Sequence, residues 1–150
     1  MKKGHVVSVS VSENKGMRKK PVDSVLLRVD HGIEGDAHAG PWHRQVSLLA
    51  EESIQKMKDA GLDVGYGDFA ENITTRGLVL HELPVGTRLR IGQCYAEVTQ
   101  IGKECHDRCA IYYQAGDCVM PREGIFVRVL QGGTIRVGDE IIVEEKSGAS

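Results

Sequence analysis

Short runs of alternating hydrophobic and polar residues dominate the chain and predict a series of β-strands. Valine alternates with serine between Gly4 and Ser12, and a second β-prone run covers Val22–Val29. A period of two turns one side of each strand toward a core and the other toward solvent. Further strands are predicted at Val46–Leu49, Glu71–Thr75, Thr87–Ile91, Tyr95–Ile101 and Gly138–Glu144.

Helical spacing is much rarer than strand alternation. The clearest helix is predicted over Ser53–Ala60, where the apolar positions share one face and Gly61 supplies a typical stop. A short helix is also expected over Cys105–Gln114, and Ile125–Leu130 fits either a strand or a helix. Many short strands with one or two short helices predict a mainly β fold, most simply a small closed or partly open β-barrel.

Length and composition fit one globular domain. The chain has 150 residues, of which 41% are hydrophobic and 27% charged, and it contains 18 glycines. We expect a single domain over residues 3–145 and a frayed tail over 146–150, which is polar and small. The formal net charge of −2 argues against a general nucleic-acid binder. The basic run Met17–Lys20 is therefore interpreted as a solvated loop.

The sequence contains no recognisable secretion signal and no apolar run long enough to cross a membrane. We therefore expect a cytoplasmic protein with no membrane partner. Its four cysteines are then expected to be reduced thiols rather than disulfides.

Cys105 is the strongest candidate for a reactive residue. Lys103, His106 and Arg108 lie close to it, and neighbouring cations lower the pKa of a thiol. Cys109 lies four positions further on, so both sulfurs would face one pocket if the segment is helical. Cys94 lies at a predicted hairpin turn and is interpreted as a structural residue.

A zinc site is a rival use of Cys105, Cys109, Cys118 and one histidine. Structural zinc sites usually combine two closely spaced ligand pairs, and the interval between Cys109 and Cys118 is too long for such a pair. The spacing therefore disfavours zinc.

A second candidate region is the glycine-rich loop that begins at Gly32. Asp36, His38, His43 and Arg44 bring a carboxylate, imidazoles and a guanidinium into a short stretch. Arg44 is suited to bidentate binding of a phosphate. In a third region, Glu71 and Asn72 are expected to hydrogen-bond neighbouring loop backbones rather than to act chemically.

Six segments in the same order resemble the MOSC domain, the C-terminal domain of molybdenum-cofactor sulfurases. The resemblance extends over roughly Lys3–Glu144. The segments are GIEGDAH from Gly32, RQVSLL from Arg44, FAENIT from Phe69, LPVG with LRIG from Leu83, TQIGKECH from Thr99 and GIFVRVL from Gly124.

The resemblance implies a β-barrel fold and an association with molybdenum cofactor, a phosphate-bearing pterin with a dithiolene-bound metal. It also implies one characteristic cysteine. In the amidoxime-reducing relatives this cysteine is a molybdenum ligand, and Cys105 is its best match in this chain. Relatives with two nearby cysteines space them C-x-x-C, whereas this chain has C-x-x-x-C, so Cys109 stays an alternative. The expected cofactor-binding residues are Lys103, His106, Arg108, Cys109, Arg44, Asp36 and His38.

The leading functional hypothesis is a module that binds the cofactor and transfers it, or its sulfur, through a reactive cysteine. Two alternatives remain: a molybdenum-dependent reductase of N-hydroxylated compounds, and a cofactor-free partner-binding scaffold. Whether the protein is an enzyme is therefore open. The chain resembles a stand-alone short member without a pyridoxal-phosphate domain. Its expected partners are a molybdoenzyme client or a cofactor-biosynthesis protein, with a separate cysteine desulfurase as a further candidate.

Overall fold

The computed structural model describes residues 2–12, 19–102 and 120–144. The helical elements in these ranges are α1 (Glu51–Asp59), α2 (Met120–Glu123) and a 3-10 turn (Leu80–Glu82). The strands are β1 (Lys3–Val11), β2 (Lys20–Val22), β3 (Ser24–Arg28), β4 (Gly32–Ile33), β5 (Val46–Ala50), β6 (Ile73–Arg76), β7 (Arg88–Ile91), β8 (Cys94–Ile101), β9 (Ile125–Gln131), β10 (Gly133–Arg136) and β11 (Glu140–Glu144).

The larger sheet closes into a barrel. Its strands follow the order β11-β7-β8-β9-β5-β6-β1-β2, and β1 also pairs with β11. The pairing of β1 with β11 joins seven strands into a ring and leaves β2 outside on β1. Since closure removes the unpaired edges of the ring, it satisfies backbone groups that an open sheet would expose. The mainly β barrel predicted from the sequence is confirmed.

A parallel pair explains the position of the main helix. Strands β5 and β6 run parallel, whereas the other strand pairs of the barrel are antiparallel in the described residues. Parallel neighbours need a crossover connection, and α1 lies within that connection. Its first turn carries Glu51 and Glu52, whose charges suit the amino end of a helix.

Successive side chains along the strands point alternately into the barrel and away from it. Leu48, Ile73, Val98 and Val127 are completely buried in the main hydrophobic core. Leu49 points the other way, into a second buried cluster outside the barrel. The other buried members of that cluster are Ile54, Met57, Val64, Phe69 and Phe126. The second cluster fixes α1 and the following loop against β5 and β9.

Most predicted elements agree with the structure. The ambiguous segment at Ile125 is strand β9, and the helix begins at Glu51, two residues before its predicted start. The predicted strand from Val22 is interrupted at Asp23, which separates β2 from β3. Strands β4 and β10 were not predicted.

Two predictions lie outside the described residues: the helix over Cys105–Gln114 and the frayed tail over 146–150. Within the described ranges, no helix has the length and apolar character that crossing a membrane requires.

Candidate functional site

An irregularity in β8 creates a polar corner at the rim of the barrel. The pairing of β8 with β9 shifts register between Val98 and Gln100, so Thr99 is an extra residue in the ladder. Such a bulge breaks strict alternation and redirects the side chains around it. Thr99 and Gln100, although consecutive, both bond the loop before β5. The Thr99 hydroxyl bonds the His43 carbonyl oxygen and lies 3.1 Å from the Phe126 carbonyl oxygen.

The side-chain amide of Gln100 joins three parts of this corner. Its Nε2 donates to the carbonyl oxygen of Gly102 over 2.7 Å. Its Oε1 lies 3.1 Å from Arg44 Nε and 2.9 Å from His43 Nε2. Because both neighbouring side chains converge on one oxygen atom, His43 and Arg44 lie side by side.

Two aromatic rings support the Arg44 guanidinium. Its central carbon lies 5.4 Å from the centroid of the Phe126 ring and 6.0 Å from that of Trp42. Stacking of this kind stabilises a cation by about 0.5–1 kcal/mol at partly exposed positions. No hydrogen bond or ion pair within the described residues uses the terminal nitrogens of Arg44. The guanidinium is therefore oriented and can still bind an anion.

This corner bonds Gly102, the residue that precedes the segment with the candidate cysteines in the sequence. The segment follows Gly102, whose N–H donates to the carbonyl oxygen of Gly124 over 2.6 Å. At the returning end, Glu123 of α2 accepts hydrogen bonds from Ser53 (2.6 Å) and Lys56 (3.0 Å) of α1. The chain is thus bonded to Gly124 before the segment and to α1 after it.

The segment itself, residues 103–119, lies outside the described residues. It contains Cys105, the predicted reactive and metal-binding residue, and the predicted binding residues Lys103, His106, Arg108 and Cys109. Their roles stay predictions. No group of three or more metal-ligating side chains occurs in the part of the chain that the structure describes.

A second polar cluster surrounds Lys19. Its ammonium group lies 2.8 Å from Asp36 Oδ1, 3.0 Å from His38 Nδ1 and 3.4 Å from Ser12 Oγ. The side chains of Lys19 and Asp36 have no exposed surface. The interpretation of Met17–Lys20 as a solvated loop is therefore wrong for Lys19, and Lys20, although exposed, begins strand β2. Its partner lies 17 positions away, where no local pattern in the sequence could reveal it.

The Asp36 carboxylate is held in its charged form. Burial raises the pKa of Asp36, but hydrogen bonds from Lys19 and from the backbone N–H groups of Ser12 and His38 outweigh burial. The pKa therefore lies below the ordinary value of 3.8. Hydrogen bonds and a nearby cation stabilise the ionised form of a carboxyl group and so lower its pKa.

The structure thus separates the polar residues of the glycine-rich loop into two groups. Asp36 and His38 bond Lys19, whereas His43 and Arg44 bond Gln100. The indole N–H of Trp42 donates to the carbonyl oxygen of His38 over 2.7 Å and connects the two groups. Arg44 lies at the rim beside Gln100, whereas the Asp36 side chain is enclosed.

Glu71 and Asn72 hold loops together, as predicted. Glu71 accepts hydrogen bonds from the backbone N–H groups of Gly67 (3.0 Å) and Phe69 (3.2 Å). Burial raises the pKa of Glu71 above its ordinary value, although these hydrogen bonds oppose the rise. Asn72 accepts from the Ser47 N–H and donates to the Ser10 carbonyl oxygen. Both side chains are buried, so their polar atoms need such partners.

Cys94 has the surroundings of a structural residue. Its side chain is completely buried, in the main core. Burial, with a smaller contribution from the Asp139 charge, raises the pKa of this thiol to about 11. Such a thiol carries little thiolate near neutral pH and is a poor nucleophile.

Gln100 was not predicted as a site residue. Thr99 and Gln100 are two successive polar residues after the alternating part of β8, and that break in alternation was the available signal. Trp42 was noted next to His43 but was not assigned a role in stacking on Arg44.

The closed seven-stranded ring and the polar corner at its rim place the protein among small β-barrel domains. The model of the MOSC domain matches residues 35–142, more than half of the chain. The protein therefore belongs to the MOSC domain family, which is associated with molybdenum cofactor. No curated protein matches the sequence significantly.

Several solved structures share the fold. The YuaD protein from Bacillus subtilis has a TM-score of 0.79 at 18% identity, over 95% of this chain and 96% of that one. YiiM from Geobacillus stearothermophilus has a TM-score of 0.71 at 21% identity, covering 97% of this chain and 77% of that one. YiiM from Escherichia coli has a TM-score of 0.68 at 20% identity, covering 96% and 70% respectively. At these identities the likeness concerns the fold alone.

Proposed function

We propose that the protein binds molybdenum cofactor at this rim and hands on the cofactor or its sulfur. The observation that carries the proposal is the Arg44 guanidinium, held by Gln100 and two aromatic rings next to the attachment point of the cysteine segment. Family membership supplies the cofactor class, and Arg44 supplies a donor suited to its phosphate.

The chemistry of the described donors fits the phosphate-bearing end of the cofactor. A guanidinium with unused terminal N–H groups binds two phosphate oxygens in one plane. Trp42, whose side chain is 38% exposed, offers an aromatic surface beside that guanidinium. These residues would bind and orient the cofactor from the side of the loop before β5.

A cysteine thiolate suits the other end of the cofactor. When bound, the cofactor supplies a molybdenum centre that accepts soft sulfur ligands. We assign this contact, or the temporary carriage of sulfur, to Cys105, because three basic residues accompany it in the sequence. Cys109 is the alternative. The recipient in this proposal is a molybdoenzyme client, and a separate desulfurase supplies the sulfur.

The test is an anaerobic binding titration with molybdenum cofactor on the wild type, Cys105→Ser and Cys109→Ser. We expect saturable binding by the wild type, at least tenfold weaker binding by Cys105→Ser, and near-normal binding by Cys109→Ser. Loss in Cys109→Ser alone would keep the function and move the role to Cys109. No binding by any of the three proteins would refute the proposed function.

A further inference from the structure

The hydrogen bonds of Gln100 determine which nitrogen of His43 carries a proton. The carbonyl oxygen of Gly102 only accepts, so the amide atom 2.7 Å from it is the NH2 group. The other amide atom is therefore oxygen, which agrees with its 3.1 Å distance from the donor Arg44 Nε. His43 Nε2 lies 2.9 Å from that same oxygen and bonds to it only when Nε2 carries hydrogen.

A neutral His43 with its proton on Nε2 has an unprotonated Nδ1. The side chain is exposed, and no described residue forms a hydrogen bond with Nδ1. The groups that bond or pack on His43 in the described part of the chain are Gln100, Thr99 and Trp42, none of them charged, with the Arg44 cation alongside. The corner therefore combines one hydrogen-bond acceptor with several guanidinium donors.

We infer that Gln100 is a positioning residue that makes His43 and Arg44 a selective site for a phosphate monoester with one proton. The P–OH group donates to His43 Nδ1, and a P–O⁻ oxygen accepts from Arg44. A phosphate monoester has a second pKa of about 6, so it takes up this proton readily near neutral pH. The inference rests on the proposed function and names the ionic form that the rim binds.

The first test compares methyl phosphate with dimethyl phosphate, a diester that is fully ionised near neutral pH and so offers no P–OH group. Isothermal titration calorimetry at about pH 7.5, in two buffers of different ionisation enthalpy, reports both the affinity and the protons taken up. We expect methyl phosphate to bind with uptake of close to one proton and dimethyl phosphate to bind with none. One hydrogen bond to a charged group, about 1.5 kcal/mol, corresponds to roughly a tenfold change in affinity.

Two variants test whether Gln100 and His43 carry this selectivity. Gln100→Met and the exposed-site variant His43→Gln should each bind methyl phosphate about tenfold more weakly and lose the proton uptake. Gln131→Met is the matched control, since Gln131 is an exposed glutamine whose Nε2 donates to the backbone of Gln93 over 3.0 Å. It should behave as wild type. Proton uptake that persists in His43→Gln, or its absence from the wild type, would overturn the inference.

A spectroscopic measurement tests the positioning role without any ligand. Long-range ¹⁵N–¹H spectra of histidine-labelled protein should show His43 with hydrogen on Nε2 in the wild type and in Gln100→Glu, which keeps an acceptor. Gln100→Met should show both tautomers in exchange. A wild-type spectrum with hydrogen on Nδ1 would contradict the assignment.

The outcome is separable from that of the cofactor titration. Proton-coupled binding of methyl phosphate without any binding of molybdenum cofactor would refute the proposed function and keep this inference. Cofactor binding without proton-coupled phosphate binding would refute this inference and keep the proposed function.

Discussion

Lys19 and Asp36 form a 2.8 Å ion pair in which neither side chain has exposed surface. The pair joins the start of β2 to the glycine-rich loop, and the Lys19 backbone N–H also donates to the Gly67 carbonyl oxygen over 2.9 Å. Three separate stretches of chain thus meet at one lysine. A buried charge is tolerated there because the ammonium group lies within hydrogen-bonding distance of Asp36, His38 and Ser12.

Removing this lysine should strongly destabilise the fold. Lys19→Met leaves the Asp36 carboxylate buried without its cation, which costs about 3–5 kcal/mol of unfolding free energy. Urea denaturation measures the change, and Lys20→Met, at an exposed position of β2, is the control and should stay within about 0.5 kcal/mol of wild type. A loss below about 1 kcal/mol in Lys19→Met would show that the pair contributes little.

The ion pair also predicts acid sensitivity. Because the pKa of Asp36 is lowered on folding, its contribution to stability is present above the ordinary value of 3.8 and is lost as pH falls through the lower folded value. Unfolding free energies measured from about pH 6 to pH 3 should fall less steeply in Asp36→Asn than in wild type. Parallel curves for the two proteins would assign the acid sensitivity to other carboxylates.

Glu71→Gln should destabilise the protein because it replaces one of two hydrogen-bond acceptors by a donor. Both carboxylate oxygens of Glu71 accept backbone N–H groups, so either amide orientation would turn an NH2 group toward a donor. Two hydrogen-bond donors that face each other in a buried site lower the free energy of unfolding by about 1–3 kcal/mol. Glu52→Gln is the control, because exposed Glu52 accepts one described hydrogen bond, from the Gly77 N–H, and its amide can keep the oxygen there. Equal denaturation midpoints for the two variants would disprove the argument.

Thiol labelling should distinguish Cys94 from Cys105. With its pKa raised to about 11 and its side chain buried, Cys94 should resist iodoacetamide at pH 8 in the folded protein. The proposed reactive residue, Cys105, should label at least tenfold faster, as read by peptide mass spectrometry. Labelling of Cys94 at the rate of a free thiol would contradict the core position given to it.

The barrel and some of the polar residues at its rim could be predicted from the sequence. Alternation identified the main strands because one face of each is buried, and the structural role of Glu71 followed from its polar character beside a β-prone run. The environment of Lys19 and the role of Gln100 were not predictable in the same way. Each depends on partners distant in the chain, and for Gln100 also on a bulge that places it against Arg44.

Binding of the cofactor at this rim is tested by anaerobic titration of molybdenum cofactor into the wild type, Arg44→Gln and Arg90→Gln. Arg90 is the matched control: it is also an arginine stacked 6.0 Å from an aromatic centroid, that of Tyr95, but it lies on β7 away from Gln100. We expect saturable binding by the wild type and Arg90→Gln, with at least tenfold weaker binding by Arg44→Gln, since a charge-assisted phosphate contact is worth about 1.5–3 kcal/mol. Equal affinities in all three proteins would contradict the placement of the cofactor at this rim.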